Sequence, residues 1–112
     1  MRLSNIDTII YSFLSEIDAE VYQIRPDVIK KFPTVVFATD VQPEYTLNRE
    51  VVNEAIEIRI DIWTKMRSEG KELVDTIESL LIDENIRLIR QNNLVDPDFG
   101  YSHINLIFNL LK

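Results

Sequence analysis

Four isoleucines that alternate with polar residues constrain the fold of this chain more than any other feature. Between residues 55 and 64 the even positions are isoleucine and the odd positions are mostly charged: Ile56, Ile58, Ile60 and Ile62 against Glu57, Arg59, Asp61 and Trp63. Side chains of a β-strand point alternately to its two faces, so this spacing predicts a strand with one apolar face. Burying each isoleucine contributes about 1.5–3 kcal/mol before conformational entropy is subtracted. The even-numbered face is therefore expected to lie in a core.

Two segments have the 3.6-residue periodicity of helices with one apolar side. The first covers residues 4–17, where Ser4 is the predicted N-cap. The second covers about residues 69–83, with Ser68 as its predicted cap and Gly70 near its beginning. The apolar positions fall on one stripe in each segment: Ile6, Ile9, Ile10, Phe13, Leu14 and Ile17, then Leu73, Val74, Ile77, Leu80 and Leu81. Each helix therefore needs another element against which to bury that stripe.

Four further segments are predicted to be strands. β-Branched and aromatic residues favour a strand over residues 34–39, and a shorter strand is expected over residues 20–25. Residues 86–94 and 101–111 supply the last two strands, separated by a turn at residues 96–100. The final strand again alternates apolar with polar residues: Ile104, Leu106, Phe108 and Leu110 against His103, Asn105 and Asn109.

Taken in order, these elements read α-β-β-β-α-β-β and predict a two-layer α+β sandwich. An approximately five-stranded, mostly antiparallel sheet is expected to carry both helices on one face, because each element has a single apolar side to bury. With 112 residues, of which 46% are hydrophobic and 28% charged, the chain fits a single domain over residues 1–112. The other sheet face and the two sheet edges would then be available for contact with a partner.

Residues 40–53 interrupt the strand pattern with polar residues. We interpret this segment as a long exposed loop between two strands, or as the mobile end of an extended hairpin. The candidate interface residues are Tyr45, Leu47 and Arg49 within it, together with Trp63 on the neighbouring strand. Two interpretations of Trp63 stay open, since the ring either packs under the long loop or anchors a partner.

The composition argues against most kinds of chemistry. The chain carries 12 basic and 19 acidic residues, a formal net charge of −7, which disfavours a surface that binds nucleic acid. It contains no cysteine, and its two glycines cannot build a glycine-rich phosphate loop. The single histidine, His103, lies on the polar side of the last strand and is expected to be solvated or loosely packed. We therefore expect no enzymatic activity, no cofactor and no metal site.

Neither membrane attachment nor secretion is expected from the sequence. The longest apolar runs span only a few residues, and there is no basic amphipathic segment. The first ten residues lack the basic stretch, apolar run and small residues of a signal peptide. The default expectation is an intracellular protein.

Several short motifs follow one another along the chain. FPTVVF occupies residues 32–37, IDIW occupies residues 60–63, Gly70 stands ahead of the helical residues 73–81, and DFGY occupies residues 98–101. This order resembles that of the phage tail-terminator and tail-completion (head–tail joining) proteins of long non-contractile-tailed phages. In that family an FP-x-VV segment leads into the sheet, and the resemblance extends over nearly the whole chain.

The resemblance implies a structural virion protein with a small α+β fold. Such a protein forms a homo-oligomeric ring, typically a hexamer, at the head-proximal end of the tail. There it stops tail-tube polymerisation or joins the tail to the head connector, so its partners are further copies of itself, tail-tube proteins and connector proteins. DNA passes through the lumen without specific binding, which the net acidity suits because attraction to phosphates would slow its passage.

Further implications concern location and the long loop. The resemblance places the protein in the virion, at the tail and the head–tail interface, and in the host cytoplasm during assembly. Residues 40–53 correspond to a family loop that orders on assembly, and no catalytic residue is carried over. A small acidic protein-binding module, antitoxin-like or regulatory, is the alternative function, and an enzyme that uses only carboxylates is a third.

Overall fold

The computed structural model describes residues 6–23, 31–45, 51–95 and 102–111. These residues form two helices and five strands: α1 (Ile6–Leu14), β1 (Glu20–Tyr22), β2 (Thr34–Tyr45), β3 (Val51–Thr64), α2 (Arg67–Ile82), β4 (Ile86–Val95) and β5 (Ser102–Leu111). This order confirms the predicted α-β-β-β-α-β-β arrangement and the α+β fold class. Neither helix is long and apolar enough to span a membrane.

The five strands form one mixed sheet in the order β1-β2-β3-β5-β4. The short β1 runs parallel to β2, and the other neighbours are antiparallel. The alternating strand identified in the sequence is the centre of the sheet, because β3 pairs with β2 on one side and with β5 on the other. A strand in this position is expected to have a strongly apolar core face, as β3 does.

Both helices pack on the same face of the sheet. Helix α1 contacts β2 and α2, while α2 contacts β3, β4 and β5. The side chains from Ile56 to Ile62 that face this layer are buried completely, and so are their neighbours Leu106 and Phe108 on β5. The Thr39 hydroxyl of β2 donates a hydrogen bond to the Asp7 carboxylate of α1. The predicted core face of β3 and the common side of the helices are thereby confirmed.

Helix α1 ends earlier than its sequence pattern predicts. The helix stops at Leu14, and the next turn is tighter, with the Ile17 N–H donating to the Leu14 carbonyl at 3.2 Å. The Ile17 side chain still reaches the core, with 9% of its surface exposed. The apolar periodicity therefore predicts the burial of Ile17 correctly but places the end of the helix too late. The predicted cap Ser4 lies outside the described residues.

The predicted cap of α2 is wrong. The helix begins at Arg67, so Ser68 lies within its first turn, and Met66 takes the N-cap position without a side-chain cap hydrogen bond. The connection from β3 is short, and the Thr64 hydroxyl donates to the Met66 carbonyl at 2.8 Å. This contact fixes the direction of the chain just before the helix and accounts for the earlier start.

The predicted loop over residues 40–53 is too long at both ends. Strand β2 continues to Tyr45 and β3 begins at Val51, and these two residues are themselves paired. The extended-hairpin interpretation agrees with this pairing. Pro43 is accommodated because, among the described residues, β1 pairs with β2 only as far as Val36 and leaves the rest of β2 as an edge strand.

Candidate functional site

The sheet face opposite the helices is the candidate functional surface. No helix of the described residues packs on it, and its side chains come from the odd-numbered positions of β3 and their partners. We call this surface the open face and define it by its central residues: Arg59, Asp61 and Trp63 of β3, His103, Asn105 and Ile107 of β5, and Arg90, Asn92 and Leu94 of β4.

A line of polar side chains crosses three strands of the open face. Asp61 accepts a hydrogen bond from the Asn105 side-chain amide at 3.0 Å, and its same oxygen lies 2.9 Å from His103 Nε2. Because a carboxylate only accepts, Nε2 carries the proton of that bond. The Asn92 amide donates in turn to the Asn105 side-chain oxygen at 3.3 Å. The network therefore joins β3, β5 and β4 at one level of the sheet.

His103 is held more firmly than the sequence suggested. Its ring stacks on Trp63 with the ring centroids 4.2 Å apart and the planes 18° from parallel, and 19% of its side chain is exposed. The imidazole therefore has an aromatic ring on one face and a carboxylate at its edge. The expectation of a solvated or loosely packed histidine is corrected, because the register of β3 and β5 sets Trp63 directly opposite it.

Trp63 lies near the end of the β2–β3 hairpin that is remote from the predicted loop, and both interpretations of its role stay predictions. It is 4% exposed and pairs with Thr34, the first residue of β2, whereas the hairpin ends at the Tyr45 and Val51 pair. At about 3.3 Å per residue, the two ends of β2 lie roughly 36 Å apart. The indole ring therefore lies far from the described end of the hairpin at Tyr45 and Val51.

Of the four candidate interface residues, the structure describes two, and these two lie apart. Tyr45 lies at one end of the hairpin and Trp63 near the other, and Leu47 and Arg49 lie outside the described residues. The role of these four residues at an interface stays a prediction. The sequence predicts that Asp61 and Asn105 lie on polar faces, but the hydrogen bond between them follows from strand register alone.

The open face combines hydrogen-bonded polar groups with exposed apolar side chains. Within the described ranges no group of three or more histidine and acidic residues could hold a metal ion. The Asp61–His103 pair is surrounded by amide side chains and an indole ring, which orient it. Exposed apolar side chains stand on the same face, with Leu94 at 45% and Tyr22 at 38% exposure. Such a mixture of fixed polar groups and exposed apolar groups is typical of protein interfaces.

Removal of the Asp61 carboxylate tests whether the network stabilises the fold. Asp61→Ala is expected to lower the free energy of unfolding by about 1 kcal/mol, because two donors lose their acceptor in a half-buried setting. Asp61→Asn keeps a side-chain oxygen and should lose less. Urea unfolding measures both, with Asp75→Ala on the exposed side of α2 as the control. Equal stability of Asp61→Ala and the control would show that the network adds nothing.

Comparison with known proteins finds a similar fold among solved structures. No family model matches this sequence, and no curated protein matches it either. Among solved structures, the chain is similar to one chain in the virion of a native gene transfer agent particle, with a TM-score of 0.66. The match covers 94% of this chain and 84% of that chain at 13% sequence identity. At this identity the likeness is one of fold.

Proposed function

We propose that this chain is a structural virion protein that forms a ring at the head-proximal end of a phage tail. In that position it terminates tail-tube assembly or joins the tail to the capsid connector. The observation that most supports this proposal is the fold shared with a virion chain over 94% of the present sequence. The motif order from residues 32 to 101 adds separate support, since it resembles tail-terminator and tail-completion proteins.

The shape of the described residues suits a protein that contacts neighbours on several sides. Strand β3 pairs with β5 only from Ala55 onwards, so the β2–β3 hairpin extends past β5 in the described part of the chain. The longest dimension is 51 Å against 27 and 23 Å for the other two. A projecting hairpin provides a means of reaching an adjacent copy, and the open face provides a second contact surface.

The charge of the chain agrees with a role around DNA without binding it. A net charge of −7 on 112 residues repels phosphates and lets a duplex slide through a lumen. The proposal assigns no catalysis, no cofactor and no membrane contact to the chain. Its partners are further copies of itself, tail-tube proteins and connector proteins.

Assembly of the purified protein tests this function directly. We expect light scattering to give the mass of a ring, and electron microscopy with the tail-tube protein to show rings or capped tubes of limited length. Substituting the connector protein for the tube protein separates a joining role from a terminating one. A strictly monomeric protein that associates with neither would contradict the proposal. Recovery of a basic toxin or nuclease instead would favour the acidic binding module.

A further inference from the structure

The outer side of α2 and the turn after it carry only acidic charge over 13 positions. Between Glu72 and Glu84 there is no lysine or arginine, and the acidic residues are at least partly exposed: Glu72, Asp75, Glu78, Asp83 and Glu84. We call these five residues the acidic surface. None of the five belongs to the buried side of α2, which Val74, Ile77 and Leu81 form, and Asp83 and Glu84 follow the end of the helix.

Helix stability does not explain this charge. The carboxyl end of a helix carries a partial negative charge, and cations there contribute about 0.3–1 kcal/mol whereas anions oppose it. The last turn of α2 contains no basic residue, and Asp83 and Glu84 follow directly. Acidic residues at a helix end that normally favours basic residues do not stabilise the helix. Their position indicates a contact with something other than the helix itself.

The open face has the opposite charge at its β4 side. Arg59, Arg87 and Arg90 are all exposed there, and Arg59 and Arg90 flank Ile107 from its two sides. In the described residues no salt bridge reaches any of the three. Of the acidic residues on this face, Glu57 and Asp61 are half-buried, and the exposed Asp40 lies on β2, on the other side of β3 from β4. The exposed charge on β4 is therefore positive. We call these three arginines the basic surface.

We infer that the basic surface of one copy binds the acidic surface of α2 of the next copy. This inference rests on the proposed ring. The two surfaces lie on opposite sides of a two-layer sandwich and cannot meet within one chain. Two different surfaces that are complementary generate a head-to-tail contact, and repetition of such a contact closes into a ring or extends into a filament.

Exposed apolar side chains accompany both surfaces. Ile82 at the end of α2 is 53% exposed, and Ile89, at the bulge of β4, is 56% exposed beside Arg87 and Arg90. Apolar contact at the centre of a charged rim is the usual composition of a protein interface. Charge on an edge strand also discourages unwanted strand pairing, and this ordinary role predicts no dependence on α2.

Two charge-reversal variants test the inference. Arg87→Glu/Arg90→Glu places two acidic side chains in the basic surface, and Glu72→Lys/Asp75→Lys places two basic side chains in the acidic surface. The association constant of each variant alone is expected to fall at least about tenfold, because like charges then meet at these positions in every contact. An equimolar mixture is expected to regain rings, since each variant complements the other. The recovered rings should contain the two variants in alternation and hence an even number of subunits.

The control is Glu16→Lys/Asp18→Lys, which changes the net charge as much as the α2 variant but at exposed residues after α1. It should assemble like the wild-type chain. Rings are scored both in solution and on tail-tube ends, and thermal melting verifies that every variant folds. If the wild-type chain forms rings and both reversal variants do so equally well, the inference is wrong while the proposed function stands. If no wild-type ring forms under either condition, both are wrong.

Cross-linking checks which surfaces touch. The chain contains no cysteine, so introduced cysteines react alone. With a bifunctional maleimide, Asp75→Cys/Arg90→Cys should give a ladder of linked oligomers, whereas either single variant should give none. Dimers from a single variant would mean that a surface meets itself, which overturns the head-to-tail contact.

Discussion

Ile60→Ala is expected to lower the free energy of unfolding by about 2–5 kcal/mol. Ile60 lies at the centre of the sheet with none of its surface exposed, and it pairs with Phe37 on β2 and Leu106 on β5. All three side chains point into the layer beneath the helices. Truncation removes apolar contacts and leaves a cavity that neighbours on rigid strands cannot fill. A loss of this size is a large part of the stability of a single domain.

Arg59→Ala is the matched control, one residue away on the same strand. Arg59 is exposed on the open face, so its replacement should change the free energy of unfolding by less than about 0.5 kcal/mol. Chemical denaturation of the two variants, analysed with a common slope, gives the comparison. Similar losses for both would mean that the two faces of β3 are not separated as the structure has them.

The faces of the strands were predictable because each has a physical pattern in the sequence. Isoleucine alternation over β3 and the apolar alternation over β5 both report the main core, which lies on the helix side of the sheet. The helical stripes did the same for α1 and α2. The order of strands was not predictable in this way, because β5 inserts between β3 and β4 through contacts distant in sequence.

The extent of the hairpin shows where alternation stops being informative. In the described part of the chain, Val51, Asn53 and Glu54 of β3 pair with β2, but β3 does not pair with β5 before Ala55. Without a third strand and a helix layer below, hydrophobic alternation is not required there. Backbone pairing continues nevertheless, and a polar stretch was therefore interpreted as a loop.

The bulge in β4 explains why the polar network escaped prediction. Ile86 and Leu88 face the helices, but the register shifts between Leu88 and Arg90, so that Asn92 faces the other side. Because the bulge adds one residue, the even-numbered positions of β4 face the helices before the bulge and the opposite side of the sheet after it. The contact between Asn92 and Asn105 depends on that shift. No local pattern in the sequence predicts the shift.

The interface residues raise a different difficulty. Trp63 is a candidate because a bulky aromatic residue stands on the polar face of a strand, and Tyr45 is a candidate because it lies in the interrupted segment. Strand pairing instead places them toward opposite ends of one hairpin. Exposed charge, rather than aromatic character alone, directs attention to the basic surface of the open face and to the acidic surface of α2 on the other side of the sandwich.

Gly70→Val is expected to lower the free energy of unfolding by about 1–3 kcal/mol, through overpacking between α2 and the sheet. Gly70 is buried, and a Cβ atom placed there would lie 2.8 Å from Ile104 Cδ1 and 3.2 Å from Thr64 Oγ1. Ile104 is 2% exposed and Thr64 is fully buried, so neither side chain has open space into which to move. Displacing Thr64 would also disturb its hydrogen bond to the Met66 carbonyl.

The next residue of the helix supplies the control for this prediction. Lys71 is exposed, so Lys71→Val introduces the same side chain with only the small loss of helix propensity, about 0.5 kcal/mol. Valine has a better intrinsic helix propensity than glycine, so propensity alone predicts that Gly70→Val is stabilising. The sign of the change in thermal unfolding therefore decides between the two effects. A stabilised Gly70→Val variant would show that α2 can move away from β5 and that the close approach at Gly70 is not required by the fold.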